Sequence, residues 1–560
     1  MVKIGKIEKK GRNFHANTPL RPTSSSVSLS LLHAAVVIFL AVCVIFPLLC
    51  VGATPTKDDF VSVLSSSVWH GAMRNTLIEC VSSTALSVLV GYLFAYAVVK
   101  ADIPCKKFFA LIPILHLMTP PFVGGLSFIL LFGRQGFFTH RILHLDVSLY
   151  GFWGLLIAQV LCFFPIAYLM CAQTLRRINP SLEQAARAMG ASKPRIALTV
   201  TIPLSLPGIL SSALFIAVSV LSDFGNPMIV AGRFRVLAVE VYTQLTGWVS
   251  AGTSCVLAIV LLVPSVLLFL AQNHVMKKQN AKIATIGAKD SSLPEKKSSK
   301  PTKVVLFLFC SFFSLLVAAQ FVSIVMGAFQ TLWGIDTRPT LAHIASIAKF
   351  TKELKNSLLF AFAASIAGTV LASLSVFFVS RSSLRLKKYI DICAQLPAAV
   401  PGSLFGLAFS LASARVGFRN SAVLIVIAMT VYFLPFSYRI ISSVFAQIKT
   451  TLDDGARALG ADKLCVLKTI LLPLSRGGIA ASFIYDFVRG VGTLSSVIFL
   501  VSFSTPLASI RILNLAEQGE WGKSAALATV LTMLTFSVLI AGRFIISILD
   551  SKAHKKQAQT

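Results

Sequence analysis

The chain alternates long apolar runs with short polar segments that are often basic. A helix needs about 20 apolar residues to cross a hydrocarbon slab of about 30 Å. Twelve stretches approach that length: 31–53, 75–99, 108–133, 148–172, 205–231, 253–272, 303–328, 356–380, 389–412, 420–443, 476–502 and 525–549. Pro47, Pro120, Pro165, Pro401 and Pro435 fall inside them, as membrane helices allow when neighbours satisfy the freed backbone groups. One interruption differs from the rest. Residues 273–302 are rich in Lys, Ser and Ala and lack any apolar period, so they read as a flexible linker. That linker divides the chain into a first half, 31–272, and a second, 303–549, of six spans each. A basic leader occupies 1–30 and a short tail 550–560. The first apolar run is too long for a signal-peptide core and reads as a retained helix.

Composition narrows the class further. Hydrophobic residues make up 56% of the 560 positions and charged ones 13%, against about 25% charged in a soluble domain. A single water-soluble core is excluded. The net charge of +30 raises the question of nucleic acid, but Lys and Arg lie between spans and form no basic domain. An even span count places both termini on one side. With the N-terminus inside, inner segments carry 34 Lys and Arg and outer segments 14. The positive-inside bias then expects both termini in the cytoplasm and no nucleic-acid partner. The ten cysteines are scattered without a C-x-x-C pair, which indicates neither a zinc site nor a disulfide framework.

The halves repeat each other. Residues 165–209 align with 435–479 without a gap, and 16 of the 45 positions are identical. They include Ala186/Ala456, Arg187/Arg457, Gly190/Gly460, Pro203/Pro473 and Gly208/Gly478. Most of the block is polar loop, so shared hydrophobicity does not produce the match. Looser matches join Asn75 with Asn356 and TPPFVGG (119–125) with PAAVPGS (397–403). Within the block, Ser181-Leu-Glu-Gln184 and Thr451-Leu-Asp-Asp454 have the spacing of capping boxes. Small residues follow, and Gly190 or Gly460 supplies the left-handed turn that ends a helix. The expectation is one short, small-faced cytoplasmic helix per half, at 181–190 and 451–460.

At these residues the chain resembles the EAA-loop permeases of binding-protein-dependent ABC importers. The copies read Gln184-Ala185-Ala186, Gly190, Val200, Ile202-Pro203 and Asp454-Gly455-Ala456, Gly460, Ile470, Leu472-Pro473. Gln184 and Asp454 replace the usual Glu, and Glu183 precedes the first copy. The resemblance covers about 71–549, with cores at about 71–272 and 352–549. It implies an all-α polytopic protein of the type I importer class, with about 12 transmembrane helices in two homologous six-helix halves. It further implies that Glu183, Gln184, Ala186, Gly190, Pro203, Asp454, Ala456, Gly460 and Pro473 form two ATPase-coupling loops. The implied partners are two copies of a cytoplasmic ABC ATPase, an extracytoplasmic substrate-binding protein and the lipid of a bacterial inner membrane. Asp-Phe-Gly-Asn-Pro (223–227) and Val-Leu-Ala-Val-Glu-Val-Tyr (236–242) resemble the iron(III) group most. Thiamine, aminoethylphosphonate, sugar-phosphate and polyamine permeases remain alternatives. Outside the class, a secondary transporter with internal repeats also uses about twelve spans.

The chain shows no chemistry of its own. Trp521-Gly-Lys-Ser524 ends like a P-loop, but Glu517 stands where a glycine is required, and the segment is expected to be an outer loop. No catalytic residue, bound cofactor or metal site is therefore expected, with ATP used by partner subunits. Polar residues inside the membrane are costly and mark candidate sites. Asp223 and Asn226 sit late in the fifth span, and Asp486 and Arg489 are spaced to pair on one helix face. Two readings stay open for them: lining of a translocation path, or a structural pair and a helix-end cap. Gly490-Val-Gly492 beside them would permit close helix packing. His140 and His144 have metal-pair spacing but no third ligand beyond Asp146, and read as loop histidines.

Overall fold

The computed structural model describes residues 24–101, 103–117, 122–144, 149–248, 250–285, 300–382 and 384–557. The first half runs α1 (24–52), α2 (Lys57–Ser65), α3 (Ser67–Val99), α4 (Lys106–Leu117), α5 (Phe122–Phe132), α6 (Phe152–Arg177), α7 (Pro180–Ala188), α8 (Pro194–Leu221), α9 (Leu237–Thr246) and α10 (Ala251–Thr285). The second half begins with α11 (Lys300–Phe329) and a hairpin of β1 (Gln330–Leu332) and β2 (Asp336–Pro339). It continues as α12 (Ala342–Arg381), α13 (Lys387–Ala399), α14 (Gly402–Val416), α15 (Ser421–Phe445), α16 (Thr450–Ala458), α17 (Lys463–Val491), α18 (Ala508–Glu517) and α19 (Trp521–Gln557). Apart from α2, the hairpin and two short first-half turns of helix, Phe137–Ile142 and Gly225–Val230, the two halves match element for element.

Among the described residues, ten helices are long and apolar enough to cross a membrane, and the bent pair α13–α14 brings the number to eleven. The ninth expected span is thus two helices meeting at 116°. The chain breaks at Val400-Pro401, where proline removes a donor and restricts the residue before it. The third expected span contains α4 and α5, and the residues between them, 118–121, lie outside the described residues.

The fifth and eleventh spans differ from expectation in register. Helices α8 and α17 start earlier and stop at Leu221 and Val491, short of the expected 231 and 502. Each passes through one widened turn, Ala197–Thr201 and Leu467–Leu471, shortly before Pro203 and Pro473. A proline cannot donate to the carbonyl four residues back, and a widened turn absorbs the mismatch. Just past its far end the Asp223 carboxylate accepts the Asn226 backbone N–H at 3.3 Å, a local alternative to a helical bond. The expected linker is helical through Thr285 within α10, and the rest of it up to 299 lies outside the described residues. The tail too continues α19 to Gln557. Residues 24–30 of the leader belong to the first helix, and 1–23 lie outside the described residues.

The two halves exchange their first helices. Helix α1 packs on α12–α15 of the second half, and α11 packs on α3, α4 and α5 of the first while also lying along α19 of its own half. Ring contacts mark both exchanges: His33 meets Phe378 at 5.1 Å, Phe307 meets Phe109 at 5.6 Å and Phe313 meets Phe164 at 5.8 Å. The β1–β2 hairpin adds a polar clamp, the Trp333 indole donating to the Leu130 carbonyl at 2.9 Å. Within each half, repeated glycines let helices cross closely. A Cβ on Gly208 would stand 2.8 Å from Thr174 Cβ on α6, and one on Gly478 3.2 Å from Val444 Cβ on α15. The identity of these glycines in the repeat therefore has a packing cause. Gly490 serves a similar approach, its Cβ position lying 3.2 Å from Ala361 on α12.

Candidate coupling helices and buried polar clusters

Helices α7 and α16 follow directly on the ends of α6 and α15. Gly190 (φ +84°) and Gly460 (φ +89°) adopt the left-handed conformation just past their last turns. Ala191 donates to Ala186 O at 3.1 Å and Gly190 to Arg187 O at 3.0 Å. The second copy repeats both bonds, Ala461 to Ala456 at 3.0 Å and Gly460 to Arg457 at 3.0 Å. This paired closure satisfies two otherwise orphaned carbonyls. The N-terminal ends differ from the sequence expectation. Asn179 caps α7, its side chain accepting from Ser181 N at 3.0 Å. Lys449 stands at the cap of α16 with no side-chain bond. Ser181 and Thr451 thus lie inside the first turn, and neither copy closes a capping box. The box geometry occurs instead at Thr56 and Asp59, opening α2.

The helices split into two faces. Ala186 is buried against the protein, Ala456 is half-buried, and Gln184 is half-buried where Asp454 is exposed. Outward, Leu182 and Met189 on α7 are 48% and 81% exposed, matched by Leu452 and Leu459 at 49% and 91%. Two large apolar side chains in each copy, seven residues apart and open to solvent, make a compact exposed apolar surface. Glu183 and Asp453 turn inward. Glu183 pairs with Lys100 at 3.2 Å and Asp453 with Arg381 at 3.2 Å.

Inside the helical bundle, polar groups gather in two places. In the first half, Gln159 links two acids through one amide nitrogen, donating to Glu79 at 2.6 Å and to Asp223 at 3.1 Å. Ser83 donates to the Gln159 oxygen at 2.7 Å, and the Asn226 amide to Asp223 at 2.9 Å. Asp223 and Asn226 are therefore brought together with Glu79 and Gln159, and Asp223 also accepts a backbone N–H in the first turn of the short helix Gly225–Val230. Glu79 and Gln159 were not expected from the sequence, although a Glu inside an apolar run is a readable signal. In the second half, Asp486 is 3% exposed and accepts from Ser437 at 2.6 Å. The pairing of Asp486 with Arg489 suggested by their spacing is not formed. Arg489 instead lies beside Tyr485, and Cys162 and Tyr432 both stand within electrostatic range of Arg489 and Asp223. Cys162 and Tyr432 thus stand near a polar group from each half.

Two further expectations change. Trp521-Gly-Lys-Ser524 is the first turn of α19 and not a loop. Ser524 donates to Ile512 O at 2.9 Å and Lys523 pairs with Glu520 at 2.8 Å. His140 lies in the short helical turn Phe137–Ile142 and not in a loop, His144 follows it, and Asp146 lies outside the described residues. No group of three metal-ligand side chains occurs among the described residues.

Comparison with known proteins matches this architecture. The model of the binding-protein-dependent transport system inner membrane component family fits residues 87–280 and again 364–555. The ferric transport system permease protein FbpB of Actinobacillus pleuropneumoniae is 27% identical over 530 residues, 91% of this chain and 75% of its own length. A putative ferric transport system permease protein FbpB 1 of Haemophilus influenzae is 27% identical over 476 residues, 81% of this chain and 74% of its own. The molybdenum transport system permease protein ModB of Escherichia coli is 27% identical over 215 residues, 37% of this chain but 93% of its own. That relative has the size of one half. With two matches to one family model covering most of its length, the chain belongs to the binding-protein-dependent transport system inner membrane component family.

Proposed function

We propose that this chain forms the translocation pathway of an ATP-driven ABC importer for iron(III). The observation that carries the importer reading is the pair of identically closed helices, α7 and α16, each with an exposed apolar face. In this reading two cytoplasmic ABC ATPase subunits seat on those faces, and their closure swings the halves between inward and outward access. An extracytoplasmic binding protein delivers the cargo. The chain lies in a bacterial inner membrane with both termini in the cytoplasm, as its basic residues favour. It binds no cofactor and hydrolyses nothing itself; ATP is consumed by the partner subunits. The substrate assignment is supported by ferric permease relatives that match both halves. Asp223 and Arg489, each near Cys162 and Tyr432, line the path in this account. The test is ATPase stimulation in the reconstituted complex, using binding proteins loaded in turn with iron(III), molybdate, thiamine and a phosphonate. Stimulation by iron(III) alone is expected, and stimulation only by another ligand would replace iron.

A further inference from the structure

Resting on that reading of α7 and α16, we propose that Glu183 and Asp453 are positioning residues that lock each coupling helix to the membrane core of its own half. Neither acid is a docking group for the ATPase.

The two halves are independent versions of one device. Glu183 and Asp453 are 270 positions apart and occupy the same turn of α7 and α16, whereas Lys100 and Arg381 are 281 apart. The second offset is that of Asn75 and Asn356, at the other ends of α3 and α12. Those amides make matching bonds to the chain before α9 and α18, to Arg235 O at 3.1 Å and Pro506 O at 3.0 Å. Lys100 and Arg381 are therefore equivalent points on equivalent helices. Both members of the pair have been replaced, Glu–Lys by Asp–Arg, yet the separation is 3.2 Å in each half. A shorter acid is matched by a longer base. By contrast, the adjoining position holds uncharged Gln184 in one copy and Asp454 in the other, so no charge is common to it.

Each pair also holds a third element. Thr201 on α8 donates to the same Glu183 oxygen at 3.0 Å. Arg381 donates to the Phe445 and Ile448 carbonyls at 3.2 and 2.6 Å, closing the end of α15. The four charged side chains are 5% to 17% exposed. Ion pairs so largely withdrawn from water add little net stability but fix one geometry against others. A coupling helix tied at this point moves with α3 and α8, or with α12 and α15. Untied, it would rock on its glycine turn and dissipate the stroke of the ATPase.

The test uses the full chain with its ATPase subunits and binding protein in proteoliposomes. Iron(III) uptake and ATP hydrolysis are read on one sample. The variant Glu183→Gln with Asp453→Asn is expected to retain bound ATPase and hydrolysis, while uptake per ATP falls by about 2- to 30-fold. Lys100→Glu alone should lose coupling similarly, and Lys100→Glu with Glu183→Lys should restore it. Unchanged uptake per ATP in the neutral variant overturns the proposal. So does release of the ATPase by that variant, which would make the acids docking groups, or a swapped pair no better than Lys100→Glu. Leu182→Asp with Leu452→Asp tests the underlying reading separately. It should release the ATPase, and retention would defeat the coupling-helix assignment itself, whatever the acids do.

Discussion

Replacing Gly190 and Gly460 together isolates the backbone's part in coupling. Both residues sit at φ values of +84° and +89°, and a Cβ at either position would meet nothing within 4 Å. Sterics with neighbours therefore cost nothing, and the whole penalty is conformational. An L-residue in the left-handed region costs about 1–2 kcal/mol, and a β-branched one is a stronger outlier there. At each site that is about a 5- to 30-fold shift against the native closure. Valine at both positions should loosen the paired bonds from Ala191 to Ala186 and from Ala461 to Ala456. Asparagine, which visits this region readily, should leave them in place. The assay is uptake per ATP in proteoliposomes, with ATPase co-purification measured alongside. The valine pair should hydrolyse ATP with little uptake, and the asparagine pair should behave close to wild type. Full coupling in the valine pair would refute the reasoning. Equal damage from asparagine would show that volume, and not φ, decides.

Other parts of the structure carry predictions of their own. Ser437→Ala removes the donor to buried Asp486 and should cost about 1–3 kcal/mol, read as a lowered Tm in detergent; an unchanged Tm contradicts the bond's importance. Gly208→Val forces a side chain into Thr174 on α6 and should destabilise by about 1–3 kcal/mol, whereas the same change at exposed Gly455 should not lower Tm through packing. Asp59 is held below its ordinary carboxylate value by the Thr56 backbone N–H and then its hydroxyl. Because its folded pKa is depressed, the cap of α2 is intact above the unfolded value of about 3.9 and is lost as pH falls through the lower folded value. Amide protection in the first turn of α2 should drop over that acid range, and Asp59→Asn should show no such step.

What the sequence revealed depended on how local the cause was. The twin helices α7 and α16 were legible because two copies of one polar loop kept the same turn residue, Gly190 or Gly460, for a backbone reason. Their N-terminal ends were misread because a hydroxyl three residues before a polar side chain imitates a capping box. Pro180, at the first helical position, was the better signal, since proline favours that place and puts the cap at Asn179. The break in the ninth span was hidden because its flanks are apolar enough to read as one run. Lys100 could not be matched to Glu183, nor Gln159 to Glu79 and Asp223, since each partnership joins separate helices. The exchange of α1 and α11 between halves was equally out of reach, since hydropathy gives length and depth but not neighbours.

One measurement bears most directly on the claim that twin helices couple this pathway to ATP. The purified chain is reconstituted with ATPase subunits, an iron(III)-loaded binding protein is supplied to its outer face, and radiolabelled iron entry is followed. The account predicts entry only with ATP, ATPase subunits and binding protein all present. Entry driven by an ion gradient through the chain alone would contradict it and return the protein to the secondary transporters.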